Sequence, residues 1–355
     1  MDDEIGLRRA NCTDSFHGNG LQRPADLLRS IPPDTVEDVY GDGGAVTDLE
    51  RHIAGLLGKP AAVFLPSGTM AQPAMLRVHA DRRTTRTVVW HPYCHVQEHE
   101  SGAYARLHQL VARPTGHREK LLTSADLAGV AEPVAALVIE LPQRDLGGQL
   151  PPWDELVAQT AWAHDRGAAA HLDGARLWEA GAGYGRPPAE IAGLFDTVYV
   201  SFYKGVGALS GCCLAGSEQD MAEVRDWRHR LGGTLFGLWP AAASALSLLP
   251  GALAEMPARM EHARAIAAAL ADVLTVRVVP DPPQTPMMHL LLDTTVEAYS
   301  ARAKQLADEQ RFWVWPRVEP TGDPEVARTE LSVGSATLRH KPSFIAETLA
   351  WLTAS

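Results

Sequence analysis

The chain predicts an α/β protein with a mostly parallel central sheet flanked by helices, followed by a smaller C-terminal α+β domain. Two observations lead there. Between residues 60 and 216, short apolar runs alternate with helical patterns, the sequence form of a parallel sheet covered on both faces. After about residue 250 the order changes to an alanine-rich helix, strands, a helix, further strands and a final helix. At 355 residues, 46% hydrophobic and 21% charged, the chain has length for about two domains and an ample core. The expected divisions are an N-terminal arm at 1–35, a large domain at 36–250 and a small domain at 251–355.

Taken in order, the residues to about Pro33 lack periodicity and read as an extended arm. Val46, Leu49, Ile53 and Leu56 share one face, predicting a helix to Leu57. Ala61 to Leu65 is a short strand leading into Pro66-Ser67-Gly68-Thr69-Met70 and a helix to about His79. Thr87 to Trp90, Leu107 to Val111 and Ala135 to Glu140 are further strands. The helix over 153–165 stops at Gly167, a natural C-terminal cap. Apolar runs at 168–172 and 197–200 are strands, with a helical segment at 187–195 between them. Beyond lie a helix at 256–270, strands at 275–279 and 288–292 and a helix at 296–308. Strands near Trp313 and Leu331 and a helix to Leu352 complete the chain.

Leu231 to Ala254 carries no charge and is long enough to cross a bilayer. Gly232, Gly233, Gly237, Pro240, Pro250 and Gly251 interrupt it, predicting a loop and one buried or subunit-interface helix of moderate length. A net charge of -11 argues against nucleic acid as a partner. Arg82, Arg83 and Arg86 read as a solvated loop. Cys12, Cys94, Cys212 and Cys213 suggest no disulfide framework, and the last two read as small core residues. Met1-Asp2-Asp3-Glu4 lacks the features of a leader, so a cytoplasmic location is expected.

Lys204 is the most informative residue, one of only five lysines. It follows the β-branched, aromatic run Thr197-Val198-Tyr199-Val200 and precedes Gly205-Val206-Gly207. Desolvation there favours the neutral amine, the form that Schiff-base chemistry needs. The plain alternative is a strand-end lysine reaching into solvent. Asp173 lies 31 residues upstream, at the end of another apolar run. A strand with Asp, a helical crossover and a strand with Lys would bring both side chains to one sheet edge. A carboxylate and an amine are the two fixed points of pyridoxal phosphate (PLP) chemistry: the acid keeps the ring nitrogen protonated and the lysine holds the aldehyde.

Other pieces fit a site, each with a plainer reading. Ser67-Gly68-Thr69 sits where free helix N–H groups can cradle a phosphate, or where hydroxyls cap a helix. His91-Pro92-Tyr93-Cys94-His95-Val96-Gln97-Glu98-His99-Glu100 is dense in ligating groups, and a helix from His95 would put His95 and His99 on one face. Zinc binding, an imidazole stacked on a flat cofactor, and simple local hydrogen bonding all suit it, the last especially for His91. Arg176 can pair with a carboxylate or phosphate, or form a surface ion pair. Tyr40, beside Gly41-Asp42-Gly43-Gly44, reads as a turn residue or a substrate gate.

Together, Asp38-Val39-Tyr40-Gly41-Asp42, Phe64-Leu65-Pro66-Ser67-Gly68-Thr69, His171-Leu172-Asp173-Gly174-Ala175-Arg176 and Lys204-Gly205-Val206-Gly207 resemble the threonine aldolase branch of fold-type I PLP-dependent enzymes. The resemblance implies Lys204 as the Schiff-base lysine, Asp173 as the partner of the ring nitrogen and His95 as the stacking histidine. It implies phosphate binding by Gly68, Thr69 and the Met70 amide beside Ser67, and a substrate carboxylate at Arg176 with Thr13. The chain departs from the pattern in four places. Gln143 stands where a histidine touching the β-hydroxyl is expected, and Tyr203 replaces a serine. Phe236 replaces an arginine, and Arg328 is one residue out of register with a carboxylate-binding arginine.

The expectation is a PLP-dependent aldolase cleaving a β-hydroxy-α-amino acid of threonine, allo-threonine or phenylserine type to glycine and an aldehyde. His95, His99 or a water would take the hydroxyl proton, no metal would be needed, and a homodimer or homotetramer would form with its site at the subunit boundary. The alternatives are a PLP-dependent β-eliminating lyase, racemase or transaldolase, and a non-catalytic or zinc-binding member of the fold.

Overall fold

The computed structural model describes residues 3–314 and 318–354, and the chain divides into two compact units. Residues 25–145 and 150–253 form the larger unit; residues 1–24, 146–149 and 254–355 form the smaller.

The larger unit is built on strands that are nearly all apolar, as strands covered on both faces must be. They are β1 (Ala61–Leu65), β2 (Thr87–Trp90), β3 (Val111–Pro114), β4 (Ala136–Glu140), β5 (Ala169–Gly174), β6 (Thr197–Ser201) and β7 (Cys212–Gly216). Among the described residues they make one seven-stranded sheet in the order β1-β7-β6-β5-β4-β2-β3. Pairing is parallel from β6 through β5, β4 and β2 to β3, and β7 alone runs antiparallel, between β1 and β6. Cys212 and Cys213 occupy opposite faces of β7 and both are buried, which is the small-core role read from the sequence. The helix Gly68–Arg83 packs Leu76 and Ala80 against Val88, Trp90 and Val138, and Ala71, Met75 and Val78 against Val63, Leu65 and Leu214.

Helix and strand edges depart from the sequence reading where local chemistry overrides the apolar pattern. The strand expected at 107–111 begins only at Val111, because Leu107 caps the short helix Ala103–Arg106 and Gln109 turns the chain with φ 55°. Arg82 and Arg83 end a helix rather than fill a loop, their charges suiting its C-terminus. Arg82 reaches Asp220 and Glu223, and Arg83 donates to the Gly167 carbonyl. The uncharged stretch becomes a loop and then a helix of 32 residues, Trp239–Leu270, longer than expected. Pro240 falls in its first turn, where no N–H is needed, and the helix runs on through Pro250. Among the described residues no helix is long and apolar enough to cross a membrane.

Asp38 and Gly41 serve this architecture directly. Asp38 is 2% exposed, and its carboxylate accepts the N–H groups of Leu238 (2.7 Å), Trp239 (2.6 Å) and Gly41 (2.7 Å). It thereby satisfies donors at the start of the long helix. Gly41 has φ +88°, and a Cβ there would overlap the buried Arg228 guanidinium, which donates to the Phe64 carbonyl at 2.8 Å.

The smaller unit holds β8 (Val276–Val279), β9 (Met287–Leu292), β10 (Val318–Pro320) and β11 (Ala327–Ser332), in the antiparallel order β10-β11-β9-β8. Leu290, Leu292 and Leu331 pack with Ile266, Tyr299, Ile345 and Leu349 from its helices. The strand expected near Trp313 is reduced to one bridge, Asp14 to Phe312, and residues 315–317 lie outside the described ones. The opening residues are not an extended arm: Asp3–Asn11 is a helix, and Arg8 pairs with Asp308 at 2.7 Å. Cys12 and Ile5 pack with Ala307 and Trp313. So short a helix is held by tertiary contacts, which is why its own periodicity is weak.

Replacing Asp38 with alanine leaves three backbone donors without their acceptor. The expected loss is about 2–4 kcal/mol of stability in urea denaturation; a loss below about 1 kcal/mol would contradict this capping role.

Candidate active site

Register brings the acids together. β4 pairs Glu140 with Asp173 of β5, and β5 pairs Asp173 with Tyr199 of β6. Side chains in register on adjacent parallel strands share a face, so two carboxyls and a phenol align near the strand C-termini, where α/β sheets bind ligands. Lys204 follows β6 in the turn after Ser201.

Behind Asp173 runs a buried hydrogen-bond chain. Gln72 Nε2 donates to Asp173 Oδ2 at 2.5 Å, and the Ala175 N–H donates to Oδ1 at 3.1 Å. A carboxylate only accepts, so the Gln72 amide must present its NH2 there and its Oε1 to His171 Nε2, 3.0 Å away. His171 Nδ1 is then bare and accepts the Thr197 hydroxyl at 2.8 Å, whose oxygen accepts His79 Nε2–H at 2.9 Å. Every donor in the chain points toward Asp173. Burial holds His171 at about 4 and His79 well below the ordinary imidazole range, so both are neutral, as this single tautomer assignment requires.

A cavity of about 360 Å³ is lined by Ser67, Gly68, Thr69, His95, Glu100, Tyr199, Tyr203 and Lys204, with Leu209 to Gly211 at its side. Ser67 is extended (φ -148°, ψ 139°) at the start of the helix Gly68–Arg83, and no side chain caps that helix. The first backbone N–H groups, at Gly68, Thr69 and Met70, are therefore an anion cradle. A Cβ at Gly68 would overlap the Tyr199 hydroxyl, so only glycine lets helix and phenol meet. Tyr199 and Tyr203 are hydrogen-bonded to each other.

Charges in and beside the cavity are sorted by burial. Desolvation and the Arg176 guanidinium hold the Lys204 amine below the ordinary lysine range, against the opposite pull of Asp173 and Glu140. Burial lowers His95 to about 4, so its ring is neutral. Desolvation, helped by Asp173, raises the carboxyls of Glu100 and Glu140 to about 8. Glu140 accepts the N–H groups of His95 (3.2 Å) and Arg144 (3.1 Å).

Several residues singled out in the sequence thus meet. Ser67, Gly68, Thr69, His95 and Lys204 line the cavity, while Asp173 and Arg176 act on Lys204 through their charges. Met70 lies in the first turn of the helix, its sulfur packed against Gly233, and is not among the cavity-lining residues. His95 and His99 do share a side of the short helix His95–Glu98, with ring centroids 5.0 Å apart, and His99 Nε2 meets Asp145 at 3.0 Å.

Others are engaged elsewhere. Gln143 does not line the cavity; its NH2 donates to the Tyr93 carbonyl at 3.1 Å and to Glu140 at 3.3 Å, so it is held by structure. His91 accepts the Tyr93 N–H at Nδ1 (3.0 Å), and its Nε2 lies 2.8 Å from the Lys120 carbonyl, so both nitrogens satisfy backbone groups. Tyr40 is 56% exposed with its ring edge-on to Phe236 at 5.4 Å. Thr13 and Arg328 belong to the smaller unit, where Thr13 is exposed and Arg328 pairs with Glu319 at 2.8 Å. The sequence reading missed Gln72, Glu100 and Tyr199. Gln72 had one visible signal, a lone polar residue in the apolar helix run Ala71 to Leu76.

A mostly parallel sheet flanked by helices, with a lysine and free helix N-terminal amides at one cavity and a buried acid on the neighbouring strand, has the fold-type I PLP-dependent architecture. The chain belongs to the beta-eliminating lyase family, whose model matches residues 34–294. It is 31% identical over 261 residues to aldolase vrtJ of Penicillium aethiopicum, a match covering 70% of this chain and 66% of that protein, just under two thirds of its length. It is 27% identical over 272 residues to low-specificity L-threonine aldolase 1 of Arabidopsis thaliana, covering 73% of this chain and 75% of that protein. A crystal structure of a candidate L-allo-threonine aldolase from Listeria monocytogenes superposes with a TM-score of 0.90 at 35% identity, covering 99% of this chain and 98% of that one.

Replacing Gln72 with leucine removes the donor to Asp173 and the acceptor for His171 together. The expected loss is about 2–3 kcal/mol in urea denaturation, because both groups are then buried without that partner; an unchanged midpoint would refute the hydrogen-bond chain.

Proposed function

We propose that this protein is a PLP-dependent aldolase that cleaves a β-hydroxy-α-amino acid, of threonine, allo-threonine or phenylserine type, to glycine and an aldehyde. The observation that carries the reading is that Lys204, its amine held below the ordinary range, lines one cavity with Gly68 and Thr69 at a helix start and feels the charge of buried Asp173. The family and the names of its relatives support the same activity.

The residues present fit the cofactor. Lys204 would hold its aldehyde, the Gly68, Thr69 and Met70 amides with the Ser67 and Thr69 hydroxyls its phosphate, and Asp173 its ring nitrogen. His95, neutral, would lie against the ring. Bound PLP supplies an electron sink for the pair left when a bond to the α-carbon breaks. The half-buried Arg176, which begins the helix Leu177–Tyr184, would receive an anionic group, the substrate carboxylate or the phosphate. Asp173, oriented by the donors behind it, would accept from the ring nitrogen and favour its protonated form. Tyr40 would gate entry of the substrate.

A second reading keeps the cofactor and changes the bond broken, to β-elimination, racemisation or aldol transfer. It is favoured by Gln143, whose amide is engaged with Tyr93 and Glu140 and cannot take a proton. Zinc binding at the histidine run is disfavoured, because both His91 nitrogens already meet backbone groups. A homodimer or homotetramer with the site at the subunit boundary is supported by the exposed pair Tyr40 and Phe236 beside Leu235. Four buried, unpaired thiols suit a reducing compartment such as the cytoplasm.

Protein supplied with PLP is expected to release glycine and aldehyde in equal amounts from at least one of threonine, allo-threonine and phenylserine. Lys204→Ala should lose this turnover and the covalent cofactor that borohydride fixes in the native protein. Fixed cofactor without glycine would point to the second reading, and the absence of both fixed cofactor and glycine release would refute PLP chemistry at this site.

A further inference from the structure

Glu100 faces the site with no structural duty. It is 3% exposed and lines the cavity with Lys204 and His95. Neither of its carboxyl oxygens has a hydrogen-bond partner. A buried polar group left unpaired costs about 1–3 kcal/mol and is rare, so a carboxyl buried in a cavity wall with both oxygens unpartnered calls for a ligand. The contrast with its neighbours is direct. Asp173 is held by Gln72 and Ala175, and Glu140 by His95, Gln143 and Arg144. Of these three acids, Glu100 alone has both oxygens available.

We propose that Glu100 is a catalytic residue that takes the proton of the substrate's β-hydroxyl. The proposal rests on the aldolase reading. As the Cα–Cβ bond breaks, the O–H electron pair becomes the second bond of the aldehyde carbonyl, and the Cα–Cβ pair stays with the glycine fragment. The hydroxyl proton moves to the Glu100 carboxylate and then to solvent, while the α-carbon takes one proton from solvent, so the proton count closes. The groups facing Glu100 set when it can act. Desolvation and the Asp173 charge raise its carboxyl to about 8, and Lys204 opposes them. Neutral His95, the phenol of Tyr199 and the buried thiols of Cys94 and Cys212 add no charge below that pH. Glu100 is thus an acid at neutral pH and a base above about pH 8. In the reverse, condensing direction the same group donates its proton to the aldehyde oxygen.

The test compares native protein with Glu100→Gln, both loaded with PLP. Gln is isosteric with the protonated acid, and retained cofactor absorbance and melting temperature report that the variant folds. Cleavage of the best β-hydroxy substrate should fall by about 10²-fold or more, and a rise in kcat/KM near pH 8 should vanish. Exchange of glycine α-hydrogens with D2O, which involves no β-oxygen, should stay within about threefold, the margin a bystander role at that step allows. Before any substrate is added, infrared spectra should show two protonated carboxyls persisting toward pH 8, of which Glu100→Gln removes one and Glu140→Gln the other. Equal cleavage by native and variant protein, an equal loss of glycine exchange, or an ionised Glu100 at pH 6 would each overturn the proposal. A native protein that cleaves none of the substrates would instead overturn the aldolase reading itself.

Discussion

The site depends on keeping one carboxylate, Asp173, inside the protein. Burying an ion costs several kcal/mol unless hydrogen bonds take the place of water. Here they come in sequence from Ala175, Gln72, His171, Thr197 and His79, all oriented toward the acid. Because each member fixes the donor and acceptor roles of the next, changing one disturbs the whole row. The helix Gly68–Arg83 links this row to the anion cradle, since Gln72 lies one turn from its free N-terminal amides. Acid and cradle are therefore placed by one rigid element.

Burial then divides the remaining ionisable groups by role. Carboxyls are pushed up at Glu100 and Glu140, imidazoles are pushed down at His95 and His171, and the Lys204 amine is pushed down. Each shift favours the neutral form. Environments that set neighbouring pKa values apart are how acid and base duties are assigned within one pocket.

Motif residues do not all act at the cavity. Asp38 and Gly41, which carry part of the family resemblance, hold the start of a helix and admit the Arg228 guanidinium. Gln143, at a position where a histidine is expected, ties Tyr93 to Glu140 and shapes the end of β4. Resemblance in sequence marked these positions as important without saying whether they support the scaffold or touch the ligand.

The sequence by itself determined the parallel sheet, because apolar runs that end on Glu140 and Asp173 and lead to Lys204 suit only strands covered on both faces. It also determined the strand-to-helix turn at Ser67-Gly68-Thr69 and the placing of Asp173 and Lys204 at the C-terminal ends of neighbouring strands, since both follow from local pattern and chain order. Tertiary structure decided what local pattern cannot encode. It paired Glu140 with Asp173 by strand register, and it brought Gln72 to His171 across 99 positions of sequence. It left Glu100 without a partner in a cavity, and it made a helix of the opening residues by packing Cys12 and Ile5 on Ala307 and Trp313. Burial and partnership are properties of the folded surroundings, so whether a given acid is a support or a reagent is settled only when the chain has closed around it.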